Sequence, residues 1–186
     1  MSRISRLLAP IIAPGLLLEQ LGERHREALR GICPPDDPVW EIYPVRFAGA
    51  DFDAAFDVTM ANADRCPFLI LADGVPVGMS GYLHIHAADN GLELGGTYMT
   101  PSARGTGLNA AIKPLLIERA IACGFTRIEF RVDMRNICSQ RAVEKLGAVR
   151  EGVLRKQRIT WTGHVRDTAV YSILADEWRD RQAAQR

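Results

Sequence analysis

The run Arg104-Gly105-Thr106-Gly107-Leu108 is the part of this sequence best suited to grip a charged ligand. Glycine at positions 105 and 107 lets the main chain turn tightly and approach a bound group with no Cβ in the way. The run opens an expected helix, whose first-turn N–H groups lack main-chain partners and carry the positive end of the helix dipole. A pyrophosphate suits such a cradle, and Arg104 offers it a cation. The same residues admit a second chemistry. Gly105-x-Gly107-x-x-Ala110 also fits the dinucleotide fingerprint of a nicotinamide (NAD(P)) oxidoreductase, with Asp133 near the place of a ribose-binding acid. Against it, Pro101-Ser102-Ala103-Arg104 separates the preceding strand from the first glycine, whereas the dinucleotide fold turns at once.

Other residues carry chemistry more loosely. Asn136 and Ser139 stand three apart at the start of an expected helix and so share a face, and Asn136 also suits an N-cap. His84 and His86 fall on one strand face with Tyr82, with no third ligand in sight, so no metal site is expected. Cys33, Cys66, Cys123 and Cys138 show no Cys-x-x-Cys spacing; four buried free thiols in a cytosolic protein is the expectation. Asp36, Asp37 and Glu41 form an acidic loop with Trp40 and Tyr43 interleaved.

Pattern and punctuation place the elements that must position these groups. A strand is expected over residues 15–21, a helix over 22–33, a break at Pro34-Pro35-Asp36-Asp37-Pro38, and a second helix over 50–64. An antiparallel meander follows over 68–72, 77–86 and 92–100, with turns at Asp73-Gly74 and Asp89-Asn90-Gly91. Then come a helix over 107–123, a strand over Arg127–Asp133 and a helix over 137–146 that Gly147 stops. Ile128, Phe130 and Val132 alternate with charged neighbours in that strand. Strands over 153–161 and Val165–Leu174, joined at Thr162-Gly163, close the chain. Pro114 should kink its helix near 110–114.

With 186 residues, 47% apolar and 24% charged, the chain suits one globular domain, 1–186, with 1–14 and 179–186 as peripheral tails. A domain of this size buries about 70% of its unfolded surface and folds without disulfide or metal. Lys and Arg number 23 against 22 Asp and Glu, a formal charge of +1 that argues against unspecific nucleic-acid binding. The N-terminal apolar run is broken by Pro10 and Pro14, so neither a membrane span nor a secretion signal is expected, and the cytoplasm is the expected compartment.

Five blocks in order carry a family resemblance. Gly96-Thr97-Tyr98-Met99-Thr100-Pro101 comes first, followed by Arg104-Gly105-Thr106-Gly107 and then Arg131-Val132-Asp133-Met134-Arg135-Asn136-Ile137-Cys138-Ser139. Glu144-Lys145-Leu146-Gly147-Ala148 and Glu151-Gly152-Val153-Leu154-Arg155 complete the series. The series resembles the GCN5-related N-acetyltransferase (GNAT) superfamily, and within it the RimJ/RimL-like branch. The likeness covers nearly the whole chain, specific from Gly96 onward and loose before Phe68. The family's glycine pattern usually opens on Gln or Arg, where Ser102 stands here. Main-chain groups dominate such a loop, so the departure is minor.

The resemblance implies an α/β fold: a mixed, mostly antiparallel sheet with a splayed parallel strand pair at the coenzyme site and helices on both faces. It implies acetyl-coenzyme A (acetyl-CoA) as co-substrate, no metal, and a small-molecule or peptide amine as acceptor. On this pattern the pyrophosphate rests on Arg104, Gly105, Thr106 and Gly107, and the pantetheine arm lies between the strands of residues 92–100 and 127–133. A main-chain N–H near Met99 polarises the thioester carbonyl. Asn136 bonds the coenzyme, and Ser139 stands near its sulfur as acid for the departing thiolate. Many relatives place a tyrosine acid four residues beyond; Val143 holds that position here, and the RimL-like branch has the serine instead. Glu93 is the candidate base, directly or through water, unless it is a solvated strand residue. Nothing in the sequence activates Cys138 as a nucleophile. The acidic loop would border the acceptor groove and steer a cationic substrate. A homodimer is the family-based expectation. A coenzyme A-binding module without catalysis stands as an alternative beside the oxidoreductase.

The reference pKa values favour one class of acceptor. Near pH 7 roughly a tenth of an α-amine is neutral, against on the order of one lysine in 2,500. A site without a strong base therefore favours a peptide N-terminus or another amine of low pKa.

Overall fold

The computed structural model describes residues 2–184; Met1, Gln185 and Arg186, at the ends of the expected tails, lie outside the described residues. Eight strands pair in one sheet, in the order β1 (Ile11–Ala13), β2 (Leu16–Gln20), β3 (Cys66–Ala72), β4 (Val75–His86), β5 (Gly91–Met99), β6 (Arg127–Asp133), β8 (Val165–Leu174) and β7 (Val149–Ile159). Asp73 and Gly74, both at positive φ, make the tight turn between β3 and β4, as a two-residue hairpin requires.

Every neighbouring pair is antiparallel except β5 and β6. That parallel pair covers only Gly91 with Arg127, Leu92 with Ile128 and Glu93 with Glu129. Beyond Glu93 the strands part. Each keeps its outer neighbour, β4 or β8, while the inner edges of residues 94–99 and 130–133 face each other unpaired. A bulge helps to part them: Gly96 sits at φ +60, where the β4–β5 register slips between Met79 and Gly81. The splayed pair implied by the resemblance is present.

Helices cover both faces, and the alternation of the strands decides which side chains meet them. One core gathers Leu7 of α1 (Arg3–Leu7), Ile112 and Leu116 of α4 (Leu108–Ala122), Val143 of α5 (Ile137–Lys145) and Trp178 of α6 (Ala175–Ala184) on Ile128, Phe130 and Val132. The second gathers Leu29 of α2 (Arg26–Gly31) and Phe52 and Phe56 of α3 (Phe52–Ala61) on Leu69, Met79 and Tyr98.

Several expected boundaries move. The helix expected over 22–33 is a 3-10 turn at Glu23–His25 followed by the short α2, and α3 is shorter than 50–64. Strand β7 starts at Val149 instead of Val153. Helix α4 runs unbroken through Pro114. Residues set at the periphery by the sequence pattern do take part in the core: Leu7 and Ile11 are buried in it. At the other end, Arg181 Nη1 donates to Leu146 O at 2.5 Å and Nη2 to Gly147 O at 3.2 Å, which closes the C-terminus of α5. A Cβ at Gly147 would fall 0.8 Å from Arg181 Nη1, so a side chain there would displace that guanidinium. Cys33, Cys66 and Cys123 are buried as expected, but Cys138 is exposed, because it lies on the outward side of the first turn of α5. Among the described residues no helix is long and apolar enough to cross a membrane.

Candidate active site

The cradle is built as the glycine spacing requires. After Met99 the chain makes a 3-10 turn at Pro101–Ala103 and passes through residues 104–107 into α4. Gly105 at φ +75 and Gly107 at φ +88 are left-handed, and a Cβ on either would meet nothing within 4 Å. The space over the loop is therefore open to a ligand. Thr106 Oγ1 donates to Ala103 O at 2.8 Å and fixes the turn. The Ala111 N–H reaches Gly107 O at 3.1 Å and the Leu108 N–H donates to Thr106 Oγ1 at 3.4 Å, which leaves the first-turn N–H groups of Asn109 and Ala110 without an intrahelical partner. These groups fit the diphosphate of a coenzyme.

Arg104 does not join them. Its guanidinium forks onto Asp37, with Nη1 2.9 Å from Oδ1 and Nη2 on Oδ2, while Nε donates to Met99 O at 3.0 Å. The Asp37 side chain is fully buried. Burial opposes its charge, but the Arg104 guanidinium, the Val39 N–H and the Tyr98 hydroxyl win and hold its pKa below the usual carboxylate range. A bidentate pair with a buried carboxylate outweighs exposure to solvent. This corrects the sequence expectation twice: Arg104 anchors the end of β5 instead of offering its charge over the loop, and Asp37 is no steering charge. Trp40, stacked on Tyr98 at 4.7 Å between centroids, belongs to the same anchor. Asp36 and Glu41 remain exposed.

At the start of α5, Asn136 Oδ1 accepts the Ser139 N–H at 2.9 Å, so Asn136 is an N-cap. Ser139 is half-buried. Asp133 is buried and held by Arg135 at 2.8 Å, which removes it as a ribose acid. One parallel pair in an otherwise antiparallel sheet likewise excludes the doubly wound dinucleotide fold.

Glu93 lies where β5 and β6 part, on the face opposite Leu92 and Leu94. It is 8% exposed, not a solvated strand residue. His84 Nε2 and Arg131 Nε both stand 3.7 Å from its Oε2. Burial pushes its pKa up to about 7, Arg131 pulls it back, and Glu129 adds to the rise. A carboxyl poised there can take a proton at neutral pH. His84 does not share a face with Tyr82 as expected. The Tyr82 hydroxyl donates to Leu116 O in α4, whereas His84, at φ +45 where the β4–β5 register slips, turns to Glu93.

Lys113 escaped the sequence reading. It is buried in α4, with Nζ 2.6 Å from Thr97 Oγ1 and 3.2 Å from Ser80 Oγ. Burial pushes its pKa down to about 8, and Glu93 pulls it up. The Tyr43 hydroxyl donates to Thr97 O, so both layers hold this residue beside the bulge. A signal was present: Lys113, Leu116, Ile117 and Ala120 fall on one helix face, which makes a lysine in a core stripe. Among the described residues no group of three His, Cys, Asp or Glu could hold a metal ion.

Comparison with known proteins agrees with this geometry. The family profile described as acetyltransferase (GNAT) domain matches residues 15–149. A probable acetyltransferase of the GNAT family from Chromobacterium violaceum is 31% identical, over 92% of this chain and 94% of that one, with a TM-score of 0.83. A GCN5-related N-acetyltransferase from Brucella melitensis is 25% identical, over 96% and 84%, with a TM-score of 0.82. RimJ of Mycobacterium smegmatis, solved in complex with CoA-disulfide, is 23% identical over 96% and 94%, with a TM-score of 0.77, a likeness of fold. No curated protein matches the sequence closely enough to serve as a relative.

Proposed function

The chain belongs to the GNAT acetyltransferases, a family that uses acetyl-coenzyme A, and on that premise we propose that it acetylates a primary amine by direct attack, with a peptide α-amine as the favoured acceptor. The parting of β5 from β6 beyond Glu93 carries this reading. It opens two unpaired strand edges beside the amide cradle of Gly105, Thr106 and Gly107, and an arm bearing amides can pair with such edges as an added strand does. The coenzyme supplies the acetyl group as a thioester.

The chain's own residues do the rest. Glu93, directly or through water, takes the proton that the amine loses as the new C–N bond forms. The Met99 N–H, at the end of β5, donates to the carbonyl oxygen as charge gathers there. The Ser139 hydroxyl gives a proton to the sulfur as the C–S bond breaks, and Asn136 holds the start of α5 in place. Glu93 is a weak base near neutrality, which favours an α-amine over a lysine side chain. The family-based setting is a homodimer in the cytoplasm. A thiol-release screen with N-terminal peptides, polyamines and aminoglycosides tests the proposal. Release with a peptide α-amine supports it; coenzyme binding without release across the panel would leave a binding module.

A further inference from the structure

Arg65 is placed unlike three of the arginines around it. Arg104, Arg127 and Arg135 each hold a carboxylate partner. Arg65 has its Nη1 on Thr59 Oγ1 at 3.2 Å, and among the described residues no carboxylate pairs with it. Burial works against its charge, with Glu93 the main group that favours it. Arg65 is half-buried, and a guanidinium partly withdrawn from water gains from an anion that completes it.

The position of Arg65 says which ligand. A cleft of only about 10 Å³, room for about one water molecule, lies on the α3 side of β5 and is lined by Phe47, Thr59, Arg65, Leu83, Gly95 and Gly96. A Cβ at Gly96 would stand 3.4 Å from Arg65 Nη2, and one at Gly95 would stand 3.0 Å from Glu93 Oε1. Arg65 and Glu93 thus flank two successive glycines on one face of β5, between the parting of the strands and Met99. The wider field is also positive. Arg131, Arg158 and Arg166 all act on Glu93, whereas the nearby Glu129 is engaged by Arg131 at 2.6 Å.

We propose that the acceptor is an amine that also bears a carboxylate, with Arg65 pairing to that carboxylate while Glu93 meets the amine. This deepens the acetyl-transfer reading and rests on it. Two sources share the chemistry: the α-carboxylate of a free amino acid, and an acidic side chain close to a peptide N-terminus. Polyamines and aminoglycosides, which carry several positive charges and no anion, are the wrong partners for this face.

The test compares kcat/KM for thiol release between matched acceptors. One arm pairs a free amino acid with its amide, and the other pairs peptides having Asp or Asn at the second position; spermidine is added as a cationic control. At least about a tenfold preference for the carboxylate in one arm is expected, and that arm identifies the source. In Arg65→Gln the ratio should fall toward one through a higher KM for the carboxylate acceptor, and Arg65→Lys should restore part of it. Because each ratio is internal to one protein, it is independent of how much of a variant folds, and the wild-type ratio alone decides if neither variant does. A wild-type ratio near one, a preference that survives Arg65→Gln, or faster turnover of spermidine overturns the proposal and leaves acetyl transfer standing. No release with any acceptor overturns both.

Discussion

The two faces of β5 recognise in different currencies. Toward the split and α4 the chain presents main chain: the left-handed glycines 105 and 107, the open amides of the first turn of α4, and bare strand edges. Toward α2 and α3 it presents side chains gathered from separate elements: Arg65 ahead of β3, Glu93 from β5, Arg131 from β6 and Arg158 from β7. Main-chain recognition depends on conformation and tolerates changes of side chain, which is why Ser102 in place of the usual residue leaves the cradle intact. Side-chain recognition depends on identity. The first face therefore tolerates exchange of its side chains, and the second does not.

The largest expected effect breaks the second face. Glu93→Gln should lower kcat/KM by about a hundredfold or more. In the wild type the working form of Glu93 is the carboxylate, and burial raises its pKa to about 7, so the rate should fall as pH drops below that value. A pH–rate profile of the variant should lack that limb; a variant within threefold of wild type would place the base elsewhere. On the first face, Gly107→Val puts a β-branched residue at φ +88. Strain of about 1–2 kcal/mol should weaken coenzyme binding about tenfold, read by calorimetry, with little change in acceptor KM.

A smaller effect sits where the faces meet. Ser139→Ala should lower kcat about fivefold to tenfold and leave coenzyme affinity nearly intact, because the Asn136 cap holds a main-chain N–H that alanine retains. Unchanged turnover would remove the serine from the acid role. The smallest concerns Lys113, a buried charge on the main-chain side. Its folded pKa of about 8 lies below the ordinary 10.5, so its burial destabilises the fold most below pH 8, and the penalty fades as pH rises toward 10.5. Lys113→Met leaves Ser80 and Thr97 bonded to each other at 2.8 Å. Thermal melts should show a gain of about 5 °C at pH 7 that shrinks over that window.

The same contrast explains what the sequence alone makes legible. Strands β6 and β8 match their expected spans because alternation and flanking turns mark them locally, and the cradle is legible because two glycines ahead of a helix have few other uses. Arg104 was misplaced because its partner, Asp37, lies 67 positions away, and no local pattern pairs charges over that distance. Alternation alone puts His84 on the wrong face, because that rule holds only until a bulge intervenes. Arg65 went unnoticed for a similar reason: nothing in its own neighbourhood shows that it ends beside Gly96.

The grip of Arg181 on Leu146 and Gly147 has a practical bearing on how this enzyme is handled. Because α6 latches the helix that carries Asn136 and Ser139, fraying it by truncation or by a bulky affinity tag would loosen the proposed coenzyme site without touching it. Catalytic assays are thus best run with the purification handle at the opposite terminus.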